Sequence, residues 1–218
     1  MNARAPGRPR ILSRARIVTI ARRIADDEGL DALTVRRVAQ RLGTGQASLY
    51  RHIQDRDELL RLLAEDVAVN LPGPREHPDP TEQVLGQWLD AYDYLSRHRW
   101  AARIIAEGEH VTDSASAFTG SALDALGRLT DTGPGGMGAP GTDLARVYRV
   151  LWHLLLGHVL NVHPVGHAHA GNTAPARAEG AAEDMGTGEA HGRQGTGTSR
   201  DDFAWALPRV LDGMLRPS

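Results

Sequence analysis

The chain has 218 residues, of which 41% are apolar, 24 are Gly and none is Cys. That is enough for one large domain or two small ones with a real core. The missing Cys excludes disulfide scaffolds, thiolate zinc sites, iron–sulfur clusters and cysteine nucleophiles. The net charge of −2 conceals an asymmetry. Residues 1–60 hold 12 Arg against 7 acidic residues, residues 61–218 hold 13 against 20, and Lys is absent. Every fixed cation is thus a planar guanidinium, suited to bidentate phosphate and guanine contacts. A basic first quarter on an acidic body points to a nucleic-acid reader. The longest apolar candidate for a membrane span, Leu144 to Val162, carries Arg146 and Arg149, and no hydrophobic signal segment follows the first basic residues. A soluble, cytoplasmic protein without membrane partners is expected.

In chain order, residues 1–12 read as a flexible basic arm, because Pro6, Gly7 and Pro9 interrupt regular structure. From Ser13 the pattern is helical, with Ile17, Ala21 and Ile24 on one face and Gly29 as its stop. Thr34 caps a short helix through Leu42, Gly43-Thr44-Gly45 forms a turn, and Gln46 to His52 is a second short helix. Asp55 and Glu58 open a longer helix through about Asn70 as a capping box, with Leu59, Leu62, Leu63 and Val67 as its apolar stripe. Four prolines between 72 and 80 mark a linker. Val84, Trp88, Ala91, Tyr92 and Leu95 then repeat at helical spacing, and further helices are expected at Trp100–Glu107 and about Asp113–Leu129. Residues 132–141 read as a loop. Asp143 to Val162 is apolar on more than one face and must be buried on two sides. Residues 163–199 are too poor in large apolar groups to offset their ordering entropy, so disorder is expected there. Phe203, Leu207, Val210, Leu211 and Met214 resume a stripe in which Pro208 should either kink the helix or mark its first turn. No strand alternation occurs, so the fold class is all-α.

The informative stretch runs from Thr34 to His52. Ala39 is small where two short helices nearly touch, Gly43 fits a turn that needs positive φ, and Val38, Leu42 and Leu49 share an apolar side. Gln46, Ser48, Tyr50, Arg51 and His52 are groups that read base edges and phosphates.

At these residues the sequence resembles the TetR family of bacterial repressors. The resemblance rests on Glu28-Gly29-Leu30, Leu33-Thr34, Arg36, Ala39, Leu42-Gly43, Ser48-Leu49-Tyr50, His52 and Asp57-Glu58-Leu59-Leu60, within Ile17 to Leu63. The segments 151–158 and Asp202-Phe203-Ala204-Trp205 look like the branch that contains the tetracycline repressors. This resemblance implies a helix-turn-helix domain at 13–56 and a helical regulatory and dimerisation domain at 57–218. It implies that Gln46, Ala47 and Ser48 face base edges with Arg36 beside them. Tyr50, His52 and Arg56, with Thr44, would hold phosphates, although Tyr50 also reads as a core residue with an exposed hydroxyl. It further implies a homodimer on a palindromic double-stranded operator, and a small-molecule effector that releases it.

Candidate pocket residues are polar or aromatic groups on apolar helices: Trp88, Tyr92, His98, Trp100, Arg103, Trp152, His153 and His158. Ordinary packing is the competing reading for each. His163, His167 and His169 lie in a Gly-rich stretch without a positioned carboxylate and read as adventitious, so neither a metal nor another cofactor is expected. The pairs Asp26-Asp27 and Asp201-Asp202 lie near helix ends, where solvation or capping explains them. No hydrolase, zincin or P-loop motif occurs, and a non-enzyme is expected. A regulator without a ligand and a helical small-molecule enzyme remain as alternatives.

Overall fold

The computed structural model describes residues 12–108, 116–131, 142–161 and 196–216. Every regular element among them is helical. Helix α1 (Arg14–Glu28) starts where the Ser13 hydroxyl accepts from the Arg16 amide at 3.3 Å. It ends at Gly29, whose φ of 86° is a conformation only glycine adopts freely. A 3₁₀ turn (Leu30–Ala32) leads to α2 (Val35–Leu42), capped by Thr34 as expected. Helix α3 (Gln46–Leu49) is shorter than the expected 46–52, and Tyr50 to His52 form turns instead. Its single turn is held from below by buried Leu49 and Ile53.

Helix α4 (Arg56–Asn70) opens with Asp55 accepting from the Glu58 amide at 2.8 Å. The return bond differs from a standard capping box: Glu58 Oε2 accepts from the Gln54 amide, one residue earlier, at 2.6 Å. Pro80 begins α5 (Pro80–Arg97), where its missing N–H costs nothing. Helices α6 (Arg99–Glu107), α7 (Ser116–Asp131), α8 (Leu144–Leu160) and α9 (Thr196–Leu215) follow. Asp113, residues 132–141, the three loop histidines and most of 163–199 lie outside the described residues, but 196–199 are helical and belong to α9.

Two packing units result. Helices α1 to α3 close around Ile17, Ile24, Leu33, Val38 and Leu49, with the first half of α4 as the fourth wall. Helices α5 to α9 form the body, in which α5 packs on α6, α7, α8 and α9, and α8 packs along α9. Val147, Leu151, Leu155 and Val159 of α8 meet Phe203, Leu207, Leu211 and Leu215 of α9, all buried. Arg200 pins the start of α9 to α5 through a two-pronged bond to Asp93 at 2.7 and 3.0 Å. No described helix is long and apolar enough to cross a membrane.

Candidate nucleic-acid interface and body cavity

The turn between α2 and α3 is set by Gly43, at φ 67° and ψ 34°. Its amide and that of Thr44 donate to the carbonyls of Gln40 and Ala39, both at 3.1 Å, closing the end of α2. Buried Val38 and Ala39 then lie against buried Leu49, so α3 can turn only one side inward. The opposite side presents Gln46 and Ala47, both exposed, with Ser48 half-buried beside them. Tyr50 is 54% exposed, so it is not a core residue. His52 and Thr44 are half-buried at the rim, and Arg51 donates to the Ser48 hydroxyl at 3.3 Å.

The arginines of this unit divide into two sets. Arg37 and Arg41 both donate to the Glu28 carboxylate, Arg37 through two bonds at 2.8 and 2.9 Å. Those bonds hold the Glu28 carboxyl below its usual range and raise the Arg37 guanidinium. Arg36, by contrast, is exposed and has no ion pair among the described residues. Arg56, expected at a phosphate, instead donates to the main-chain carbonyls of Leu33 at 3.0 Å and Leu30 at 3.1 Å. It clamps the loop before α2 onto the start of α4.

The head meets the body through side chains that the sequence reading placed elsewhere. Asp26 of α1, expected to be explained by solvation or capping, accepts from Trp100 Nε1 and lies 2.7 Å from His98 Nδ1. The other ring nitrogen, Nε2, lies 2.9 Å from Arg22 Nη2. A guanidinium only donates, so His98 Nε2 accepts and its Nδ1–H donates to Asp26. Arg22 also pairs with Asp66 of α4 at 3.3 Å. Tyr94 stacks obliquely on the His98 ring, and burial raises its hydroxyl.

Between α4, α6, α7 and α8 lies a cavity of about 530 Å³. Helix α4 lines it with Ala64, Val67 and Ala68, and Leu71 follows; α6 contributes Ile104 and Ile105. Phe118 and Thr119 of α7 face Tyr148, Trp152, His153 and Leu156 of α8 across it. Of the eight expected pocket residues only Trp152 and His153 are on its wall. Trp88 is fully buried behind the wall, edge-on to Phe118, Tyr148 and Trp152, and Tyr92 stacks on Phe203. His98 and Trp100 are bound to Asp26. Arg103 is exposed on α6 near Asp31 and Glu107, and His158 bonds the Leu154 carbonyl at 2.8 Å. Thr119 and Tyr148, whose oxygens lie 2.8 Å apart, were missed. The criterion of polar groups on apolar helices would have found both. The small apolar residues of α4 carry no such signal. No group of three or more potential metal ligands occurs among the described residues.

Two short helices about a left-handed glycine turn, the second with its polar side free, make this a helix-turn-helix protein. The sequence profile described as bacterial regulatory proteins, tetR family, matches residues 17–63. The transcriptional repressor DrrR1 of Streptomyces coeruleorubidus is 40% identical over 86 residues, 39% of this chain and 30% of that protein. The match thus spans under a third of that curated relative. Apo ActR from Streptomyces coelicolor is similar in structure at a TM-score of 0.56 and 31% identity, over 69% of this chain and 70% of that one. A TetR variant from Acinetobacter baumannii AYE, 22% identical, shares the fold over 93% of this chain and 96% of its own at a TM-score of 0.63. The chain belongs to the TetR family.

Proposed function

We propose that this protein is a transcriptional repressor that acts by binding rather than by catalysis. As a homodimer it holds a palindromic operator and is released by a small-molecule ligand. The observation that carries the reading is the outward side of α3, where Gln46 and Ala47 are exposed and Ser48 is half-buried above buried Leu49, with Arg36, which has no ion pair among the described residues, alongside. Those four residues face base edges, Arg36 supplying a guanine contact. Tyr50, His52 and Thr44 hold phosphates, and Arg56 positions the loop behind them. Dimerisation uses α8 and α9. Trp205 stands 63% exposed on the side of α9 away from Phe203 and Leu207, with the Arg209 guanidinium 4.1 Å from its ring. A two-fold pair of heads reads half-sites about one DNA turn apart.

Ligand control follows from α4, which carries Arg56 under the head at one end and lines the cavity at the other. A ligand that prefers one placement of α4 changes the spacing of the heads, and a ~100-fold loss of operator affinity requires about 2.7 kcal/mol of coupling. Two further structures of ActR, described as complexes with (S)-DNPA and with actinorhodin, support a small-molecule site in a protein of this kind.

Selection of duplexes from a random pool, followed by fluorescence anisotropy across a salt series, tests the reading. An enriched palindrome is expected, with a log–log salt slope of about −0.9 per phosphate contacted. Arg36→Ala and Gln46→Ala should each cost about 1–3 kcal/mol on the selected site and flatten base preference. A pool without an enriched site, or a slope near zero, overturns it.

A further inference from the structure

A serine is by itself an ambiguous reader of DNA, because its hydroxyl both donates and accepts and suits either a base donor or a base acceptor. At position 48 the fold removes that ambiguity. The Tyr50 amide donates to the Gln46 carbonyl at 3.0 Å, and those of His52 and Ile53 donate to the Leu49 carbonyl at 2.8 and 3.1 Å. These bonds carry the winding of α3 past its last residue, and buried Leu49 and Ile53 fix it from below. Residues 48 and 51 therefore share one side, and Arg51 Nη2 donates to Ser48 Oγ at 3.3 Å. A guanidinium has no acceptor, so the Ser48 oxygen is the receiving end of this bond. Hydroxyls on other helices spend their protons on their own main chain. Thr19 donates to the Ala15 carbonyl at 2.9 Å, Ser121 to that of Phe118 at 3.0 Å and Thr130 to that of Gly127 at 2.8 Å. Ser48 makes no such bond among the described residues: its oxygen is engaged and its O–H is not.

We infer that Arg51 is a positioning residue for sequence readout: it holds the Ser48 hydroxyl as a hydrogen-bond donor and so commits Ser48 to a purine N7 and against cytosine. This role rests on the proposed DNA reading but names a base edge that the reading alone does not require. In the major groove N7 is an acceptor on guanine and adenine alike, whereas cytosine offers only its N4 donor. Against cytosine the serine oxygen would face a second donor beside the guanidinium, and the serine proton would go unmatched. N7 also lies at the outer edge of the base pair, within reach of a side chain as short as serine.

The test uses the full chain and its selected operator, with 7-deazaguanine or 7-deazaadenine placed at one purine at a time. That exchange removes the N7 acceptor and keeps the base pairing. By anisotropy, one purine in each half-site should cost the wild type about two- to tenfold in affinity, the range of a single hydrogen bond, and the cost should vanish in Ser48→Ala. Deaza penalties that survive Ser48→Ala belong to Arg36 or Gln46. Arg51→Met keeps the stem and removes the donors, so the Ser48 hydroxyl is free to turn and accept from cytosine N4. Discrimination between that purine and cytosine should then fall by about two- to tenfold. Arg51→Lys, whose ammonium also only donates, should restore it. A residue that merely supports the fold would weaken every sequence alike and leave this preference in place. An operator with no Ser48-dependent purine overturns the inference, as does a preference that Arg51→Met leaves unchanged. A uniform loss in Arg51→Met with the salt slope reduced by about 0.9 also overturns it, because Arg51 is then a phosphate contact. Those three results leave the DNA reading standing, whereas a pool that enriches no operator removes that reading and this role with it.

Discussion

The three arginines of α2 have different fates, and one carboxylate decides which. Glu28 takes Arg37 and Arg41 in charge-assisted bonds, and Arg36 is left without an ion pair among the described residues. Because those bonds lower the folded-state pKa of Glu28 below the usual value of 4.5, their stabilisation is complete above that value. It is lost as the pH falls through the lower folded one. Comparison of melting temperatures of wild type and Glu28→Gln across pH should show a gap that is widest near neutrality and closes in acid. A gap constant with pH would mean that Glu28 acts through shape alone. Arg56 offers a second residue-scale test. Its two carbonyl bonds need the guanidinium fork, which Lys lacks. Arg56→Lys should therefore lose about as much stability as Arg56→Ala, roughly 1–2 kcal/mol by chemical denaturation. A Lys variant as stable as wild type would return Arg56 to a purely electrostatic role at phosphate.

At the scale of elements, what was legible in the sequence is what local chemistry determines. Ser13, Thr34, Asp55 and Gly43 announce their helix ends because a side-chain oxygen or a missing Cβ satisfies the terminal main-chain groups. Gly43 has open space where a Cβ would stand, so Gly43→Ala tests backbone strain alone. It should cost about 1–2 kcal/mol in unfolding free energy. At the last helix local chemistry left two alternatives open for Pro208, a kink or a first turn, and its position in the interior of α9 removes the second. Pro208 locally disfavours a helix, yet α9 runs through it from Thr196 to Leu215. Phe203, Leu207, Leu211 and Leu215 each bury a large side chain against α8 and the body, and that tertiary gain exceeds a local penalty of about 3 kcal/mol. Pro208→Ala should accordingly raise stability by roughly 1–3 kcal/mol in a denaturant titration. An unchanged midpoint would show that the surroundings already compensate the lost bond.

At the scale of the whole molecule, the proposed ligand control requires that head and body be coupled, and here the sequence was nearly silent. Arg22 and Asp26 share α1, but Asp66 and His98 come from distant parts of the chain and none of the four belongs to a motif; only the packing of α1 against α4 and α6 brings them together. Their bonds form a bridge from the reading head to the helices that line the cavity. In a coupled system the bridge sets how strongly two sites sense each other, rather than how well either binds. His98→Phe keeps a ring beside Tyr94 but removes the acceptor for Arg22 and the donor for Asp26. The free protein should still bind its operator within a few-fold of wild type, while the ratio of operator affinities with and without a small molecule selected by thermal shift falls. By reciprocity, the operator should lose the same factor of influence on binding of that molecule. Anisotropy gives the first ratio and calorimetry on the operator complex gives the second. If both ratios match wild type, signalling passes along α4 without the bridge, and the Asp26–His98–Arg22 contacts serve only to hold the head in place.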